Sequence, residues 1–234
     1  MKELDSNFWG EYLKIYDVLN LSYPYKELMD IIISSFSEIN NQIIFDAGSG
    51  TGNLSIRLSN FGGIVYSLDN SKEGLEIHRL KDKKANTYLH DLSKPLPFKD
   101  DFFDSIVSLN TICFIDEKYR DKIFSEFHRV LKDNGELMVV NLLDGFRAYK
   151  IFLSHIKSSI KNDGFFNFFK NIFPLFISAL KILYYSKIIQ KNNGRNHFFN
   201  KEEQFSYLNN NRFKKISKSK LIYADQAVFN KANK

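Results

Sequence analysis

The chain holds a single cysteine, Cys113, among 234 residues. One thiol excludes an intramolecular disulfide framework and any multi-cysteine zinc or iron–sulfur centre, and no metal site is expected. There is no run of about 18 uninterrupted apolar residues, so no spanning helix is expected. The N-terminal stretch MKELDSNFWGEYLKIYDVL has acids where a secretory leader has a basic patch and an apolar block. A cytoplasmic protein, soluble or peripheral at a membrane, is the expectation. Disorder is excluded too, because 44% hydrophobic and 26% charged residues match an ordinary globular chain. The length suits one core carrying one insertion.

Charge is distributed unevenly. Residues 1–144 carry 16 Lys and Arg against 23 Asp and Glu, whereas residues 145–234 carry 17 against 4. An acidic first part joined to a basic last part makes a polarised molecule whose basic side suits an anionic surface or ligand. A solvated lysine-rich surface is the plainer reading of the same numbers.

Short β-like runs alternate with helical patterns over the first 130 or so residues. Residues 43–45, 64–68, 87–89, 105–109 and 137–140 read as strands, the last after a turn at 132–135. Helical spacing marks 53–60, 71–82 and 117–131, where Tyr119, Ile123, Phe127 and Val130 share one face. Such alternation argues for a mainly parallel sheet covered on both faces. Upstream, 7–21 and 24–36 read as two helices capping the sheet edge or the ligand cleft. After Asn141 the alternation stops. Residues 146–161 and 165–189 are helical and apolar, with Pro174 breaking the second stretch. A loop at 192–196, a short helix at 201–208 and strand-like segments at 213–222 and 226–229 complete the chain. The expected division is N-terminal helices (1–40), a core (41–145), a helical insertion (146–197) and a last helix with a C-terminal hairpin (198–234), all in one domain.

The chemistry-bearing segment is Asp46-Ala47-Gly48-Ser49-Gly50-Thr51-Gly52, between an apolar run and a helix. Its glycines permit positive φ and close approach of a ligand, and the helix after them offers free N–H groups. Asp46 would repel a pyrophosphate, so it suits a ligand that is cationic at this place. The spacing Gly-x-Gly-x-Gly, followed by Asn53, departs from the dinucleotide Gly-x-Gly-x-x-Gly. No Gly-Lys-Ser/Thr is present, which excludes a Walker-type loop. Asp69 stands 21 residues after Gly48 at the end of the next strand, where a carboxylate can accept both ribose hydroxyls. Capping the helix near Ser71 is its structural alternative. Asp91 ends the third strand, where its carboxylate can accept from an exocyclic amine while the Leu92 N–H donates to a ring nitrogen. A plain loop acid is the alternative there. A ligand with a cationic end, a ribose and an adenine satisfies all three acids, and S-adenosylmethionine is such a ligand.

The segment Phe45-Asp46-Ala47-Gly48-Ser49-Gly50-Thr51-Gly52-Asn53 resembles motif I of the class I S-adenosylmethionine-dependent methyltransferases. Leu68-Asp69-Asn70-Ser71 resembles their ribose-binding motif, and the stretch from His90 to Phe98 their adenine motif, with Phe102-Phe103-Asp104 opening strand four. The stretch from Glu126 to Leu137 resembles their helix–turn–strand motif. The likeness covers about residues 43–141. It is similar to the small-molecule branch, which includes quinone-biosynthesis methyltransferases, and the Tyr12 to Asp17 helix fits that branch. The resemblance implies a Rossmann-like α/β fold with a seven-stranded mixed sheet, its last strand antiparallel, helices on both faces and an α-helical insertion after strand 5. By position it assigns Asp46, Gly48, Ser49, Gly50, Gly52 and Asn53 to the methionine end of the cofactor, Asp69 and Asn70 to the ribose, Asp91 and Leu92 to the adenine, and Asn110 to the wall near the sulfonium. Asn110-Thr111-Ile112-Cys113 is not the Asn/Asp-Pro-Pro-Tyr/Phe motif of nucleic-acid amino methyltransferases, so nucleic acid is not the expected partner.

Methyl transfer from a sulfonium is an in-line displacement with a neutral leaving group. Alignment in a site closed to water can supply about 7–11 kcal/mol. A general base adds about 10²–10⁴-fold where the acceptor requires one, and the sequence singles none out. His197, in the loop after the insertion, and Tyr16 are the catalytic candidates, with a surface histidine and a core tyrosine as the alternatives. His155 reads as incidental on a lysine-bearing helix, and Cys113 as packing. The insertion reads as a lid lining a pocket for a hydrophobic or lipid-like acceptor, its lysines resting on an anionic membrane; packing on the sheet or a dimer interface is the alternative. The expected activity is methyl transfer from S-adenosylmethionine, leaving S-adenosylhomocysteine, to O, N or C of a small acceptor. A peptide or protein acceptor, or a cofactor-binding subunit without turnover, is left open, and oligomeric state has no sequence signal.

Overall fold

Apolar runs that end in Asp, Asn or Gly become the strands. The computed structural model describes residues 6–164, 180–189 and 198–234. Its strands are β1 (Ile43–Ala47), β2 (Ile64–Asp69), β3 (Asn86–Leu89), β4 (Phe103–Leu109), β5 (Leu131–Leu142), β6 (Lys220–Ile222) and β7 (Ala227–Asn233). They form one seven-stranded sheet in the order β3-β2-β1-β4-β5-β7-β6. β7 is antiparallel to both of its neighbours, and every other pairing is parallel. The inner strands are apolar at their centres because both faces are covered: Ile44, Phe45, Ile106, Val107 and Leu137 to Val140 are fully buried, with Asp46, Ser105 and Ser108 as buried polar exceptions. Strand order reverses between β1 and β4, and in such sheets the crevice beyond the carboxyl ends of the strands at that reversal receives ligands.

Eight helices are described around this sheet: α1 (Ser6–Tyr16), α2 (Tyr23–Ser35), α3 (Asn53–Asn60), α4 (Lys72–Lys81), α5 (Arg120–Val130), α6 (Ala148–Asp163), α7 (residues 180–189) and α8 (Lys201–Asn210). α1 packs on α4, α2 on α6, and α5 on α8. The Ser22 hydroxyl caps α2, with Pro24 in the first turn. Asn200 and Glu203 form a reciprocal capping box on α8. No described helix is long and apolar enough to cross a membrane.

Four boundaries differ from the sequence pattern, each for a local reason. The first helix stops at Tyr16 and continues as a 3₁₀ turn, Asp17–Leu21. There the Asp17 carboxylate accepts from Thr51 Oγ1 at 2.6 Å and from Lys81 Nζ at 2.9 Å, which ties the chain to the glycine turn. The helix expected from 117 opens as a 3₁₀ turn, Glu117–Tyr119, whose Lys118 N–H donates to the Asp116 side chain. β5 begins at Leu131, and its partner register jumps from Phe103↔Leu131 to Ser105↔Glu136. The polar residues 132–135 are thus an excursion in the strand, with Asn134 at positive φ. In the tail only Lys220–Ile222 pairs with β7 as a strand. Lys214 makes an isolated bridge to Asn233, and Tyr223, Ala224 and Asp225, all at positive φ, turn the corner. The expected break at Pro174, the loop at 192–196 and His197 lie outside the described residues.

Candidate active site

Backbone geometry builds the glycine turn. Gly48, Gly50 and Gly52 have φ of 87°, 53° and 79°, in the left-handed region that glycine occupies at no steric cost. At Gly48 a side chain is excluded twice over, since a Cβ would lie 2.1 Å from Thr111 Oγ1. The N–H groups of Gly48 and Ser49 both donate to the Leu68 carbonyl, at 2.8 and 3.1 Å, and Gly52 caps the start of α3. Gly52 itself stands outside the cavity wall, its backbone passing against the His78 ring, where a Cβ would meet Cδ2 at 2.1 Å.

The three acids sit at the ends of β1, β2 and β3, each held differently. Asp46 is buried, with its Oδ2 accepting from Ser55 Oγ, which in turn accepts from Ser67. Burial pushes its carboxyl up to about 7, against the opposing pull of the Ser55 hydroxyl, and the Asp69 charge adds to the rise. Asp69 Oδ2 accepts from the Gly50 N–H and Oδ1 from the Ser71 N–H, both at 2.8 Å. It therefore braces the glycine turn and the start of α4, and the Asn70 N–H adds a third backbone donor to the carboxylate. Burial raises its pKa, and those backbone donors oppose the rise. Asp91 is exposed, with Oδ1 taken by the Ser93 N–H at 2.8 Å. Leu92 beside it is buried, and its N–H makes no hydrogen bond among the described residues.

All three acids open on one cavity of about 270 Å³, together with Gly48, Ser49, Gly50, Asn53, Asn70, Leu92 and Asn110. Two buried oxygens on this wall, Ser49 Oγ and Asn110 Oδ1, have no hydrogen-bond partner among the described residues. Orphaned buried polar atoms are costly unless a ligand or water completes them. Asn110 also holds a φ of 51° at the end of β4, a conformation asparagine tolerates better than most residues. The Asn53 side chain is engaged with Lys81 Nζ at 2.8 Å and Tyr25 Oη at 3.5 Å. Nearby, α1 covers the cavity with Trp9, Tyr12, Leu13 and Tyr16. Tyr16 packs against Tyr12 and Tyr25, and burial pushes its phenol up to about 12, so it is neutral at pH 7.

Beyond the acids the cavity is apolar and is walled by the segment after β5. Ile151 and Phe152 of α6 and Ile182, Leu183 and Ile189 of α7 line it, and Tyr185 of α7 packs on Phe8 and Tyr12 of α1. His155, set aside as incidental from its lysine-bearing surroundings, is part of this wall and is buried. So is Ser186. The signal for His155 was present in the helix spacing, since Ile151, His155 and Ser159 are four residues apart and form the buried stripe of α6.

Residues 45–139 match a family model described as a methyltransferase domain. The core is similar to methyltransferase domains that use S-adenosylmethionine. Over 108 residues this chain is 32% identical to the ubiquinone/menaquinone biosynthesis C-methyltransferase of Pectobacterium carotovorum, covering 43% of this chain and 42% of that protein. Over 116 residues it is 31% identical to the malonyl-[acyl-carrier protein] O-methyltransferase of Buchnera aphidicola, covering 50% of this chain and 46% of that protein. The matched stretch spans less than half the length of these curated relatives. A SAM-dependent methyltransferase of Thermotoga maritima shares the fold over 100% of both chains, with a TM-score of 0.63 at 19% identity. The cofactor of such a domain carries a cationic methionine end, a ribose and an adenine. The acid at each strand end and the two orphaned oxygens are a donor and acceptor set that fits it.

Proposed function

We propose that this chain transfers a methyl group from S-adenosylmethionine to O, N or C of a small acceptor with an apolar body. The observation that carries this reading is the continuity of one cavity, polar where Asp46, Asp69 and Asp91 end their strands and apolar where α1, α6 and α7 close over it. The bound cofactor supplies an electrophilic methyl on a positive sulfur. Its sulfur would leave neutral, keeping the electron pair of the methyl–sulfur bond as the acceptor atom took the methyl, and a protonated acceptor would release its proton to solvent or a base. Asp46 and the glycine turn hold the cationic methionine end, Asp69 and Asn70 the ribose, Asp91 and the Leu92 N–H the adenine. Asn110 faces the reacting methyl. Tyr16, a neutral phenol, closes the site against water and is a hydrogen-bonding wall; His197 is kept as a candidate base. The relatives are named for C- and O-methylation, and both chemistries rely on the same alignment.

The test is a thermal-shift comparison of S-adenosylmethionine, S-adenosylhomocysteine and NAD(H). A ligand at about 100 times its dissociation constant adds about 2.7 kcal/mol, or roughly 5–11 °C for this length. Stabilisation by the two S-adenosyl compounds and none by NAD(H) is expected; the reverse would sink the cofactor assignment. Label from methyl-labelled cofactor should then enter a small-molecule or lipid extract, and label in the protein pellet would point to a polypeptide acceptor.

Peripheral membrane contact by a cytoplasmic enzyme is part of the same reading. Tyr149, Leu153 and Ile160 are exposed along α6 beside the exposed Lys150, Lys157 and Lys161, a mixture suited to an anionic interface. Flotation with anionic vesicles and absence from neutral ones is the expected outcome, and equal behaviour with both would remove the membrane from the account.

A further inference from the structure

We infer that His155 is a specificity-determining residue that donates a hydrogen bond to an oxygen on the acceptor, so that the acceptor is an apolar molecule bearing a carbonyl or a comparable acceptor oxygen. The inference rests on the methyltransferase reading above and concerns the part of the cavity wall that α6 supplies.

The tautomer of His155 is set by the backbone. The Tyr23 N–H, at the first residue of α2, donates to His155 Nδ1 at 3.3 Å, and the Tyr23 ring lies over the imidazole with centroids 6.0 Å apart. With Nδ1 accepting, the proton of the neutral ring is on Nε2. Burial, with help from the nearby Lys26 ammonium and against the Asp163 carboxylate, holds the ring's pKa below its ordinary value. The ring is therefore neutral at pH 7 and its free nitrogen is a donor. Nε2 has no partner among the described residues, although the residue is only 8% exposed and forms part of the cavity wall.

The surroundings make that donor conspicuous. The other α6 and α7 residues on this wall are Ala148, Ile151, Phe152, Ile182, Leu183 and Ile189, with the Ser186 hydroxyl as the one additional polar group. A purely hydrocarbon acceptor would bury Nε2–H unsatisfied, at a cost comparable to a lost hydrogen bond. An acceptor oxygen placed there completes it, and a site built on such a pairing rejects analogues lacking the oxygen. Because Nδ1 is occupied and Nε2 is protonated, His155 positions the acceptor and does not remove its proton.

Matched probes test this. Isothermal titration of the protein loaded with S-adenosylhomocysteine would compare 1-tetralone with tetralin, fused rings of like shape with and without a carbonyl. About tenfold tighter binding of the ketone is expected. His155→Leu should erase that preference, tightening tetralin as it weakens the ketone, while leaving S-adenosylhomocysteine affinity unchanged. His155→Gln, whose amide can present a donor near Nε2 and an acceptor near Nδ1, should restore most of it. Ser186→Ala guards against a folding defect in the leucine variant and should reduce the ketone preference only partly. Equal affinities for the two probes in the wild-type protein, no binding of either, or a ketone preference that survives in His155→Leu would overturn the His155 proposal alone. Failure of the wild-type protein to bind S-adenosylhomocysteine would overturn the cofactor assignment, and this proposal with it.

Discussion

At the scale of single residues, the site stores unfavourable chemistry that a ligand relieves. Asp46, with its carboxyl pushed up to about 7 by burial, binds a proton in the fold that the unfolded chain sheds near pH 4. Its contribution to stability is thus complete below pH 4 and is lost as pH rises through 7. Asp46→Asn should raise the melting temperature of the ligand-free protein at pH 8 by roughly 4–8 °C, about 2 kcal/mol, with a smaller gain at pH 5. The same change should weaken S-adenosylhomocysteine binding at least tenfold. In the wild type that affinity should climb between pH 6 and 8, because a cationic group pairs with the ionised carboxylate; titration calorimetry in two buffers would reveal the released proton. Gly48→Ala meets both a positive φ and the Thr111 side chain, and should cost on the order of 3 kcal/mol in chemical denaturation. Asp46, the glycines and Asp69 were legible from spacing alone, since strand ends and tight turns demand particular residue types. The orphaned Asn110 oxygen was legible only through resemblance, because nothing local distinguishes it from a polar loop residue.

At the scale of elements, one side chain ties the cover of the site to its floor. Asp17 bridges Thr51 of the glycine turn and Lys81 of α4, and it sits where α1 gives way to a 3₁₀ turn. Asp17→Ala should raise the dissociation rate of S-adenosylhomocysteine about fivefold in stopped-flow measurements, in line with about 1 kcal/mol for a partly exposed charged pair, while changing global stability little. An unchanged rate would mean that aromatic packing of α1 on α7 closes the site without the tie. Periodicity located nearly every element because the apolar stripes are regular. It placed ends less well at Tyr16, at residues 117–119 and in the tail, where side chains such as Asp17 and Asp116 compete for backbone or distant partners and end the regular pattern. The burial of His155 escapes a local reading for a related reason. The lysines beside it on α6 describe the outer face, and only the four-residue spacing to Ile151 and Ser159 places it inward.

At the scale of the whole molecule, a buried polar network joins the C-terminal elements to the floor of the site. Gln204 of α8 is fully buried; its Nε2 donates to the Val139 carbonyl at 3.1 Å and to Asn230 Oδ1 at 2.9 Å, and its Oε1 accepts from Asn141 Nδ2 at 2.8 Å. Asn141 Oδ1 then accepts from the Cys113 N–H, in the turn that follows Asn110. Gln204→Ala would leave several of these groups unpaired and should cost about 2–4 kcal/mol, seen as a lower urea midpoint at unchanged slope. The overall α/β architecture followed from alternation, but this coupling joins residues 26 to 65 positions apart and is invisible to any local pattern. Cys113 itself has a further use. It is the chain's one thiol, fully buried, with its pKa pushed up to about 12, so it should ignore maleimide reagents in the folded protein. A dye attached through Lys187→Cys on the exposed side of α7 would therefore have no native competitor. Trp9, the chain's single tryptophan, lies on α1 in the cavity wall. Resonance energy transfer from that indole to the dye would report the opening and closing of the cover optically, in a protein that already carries its own donor and silences its own background.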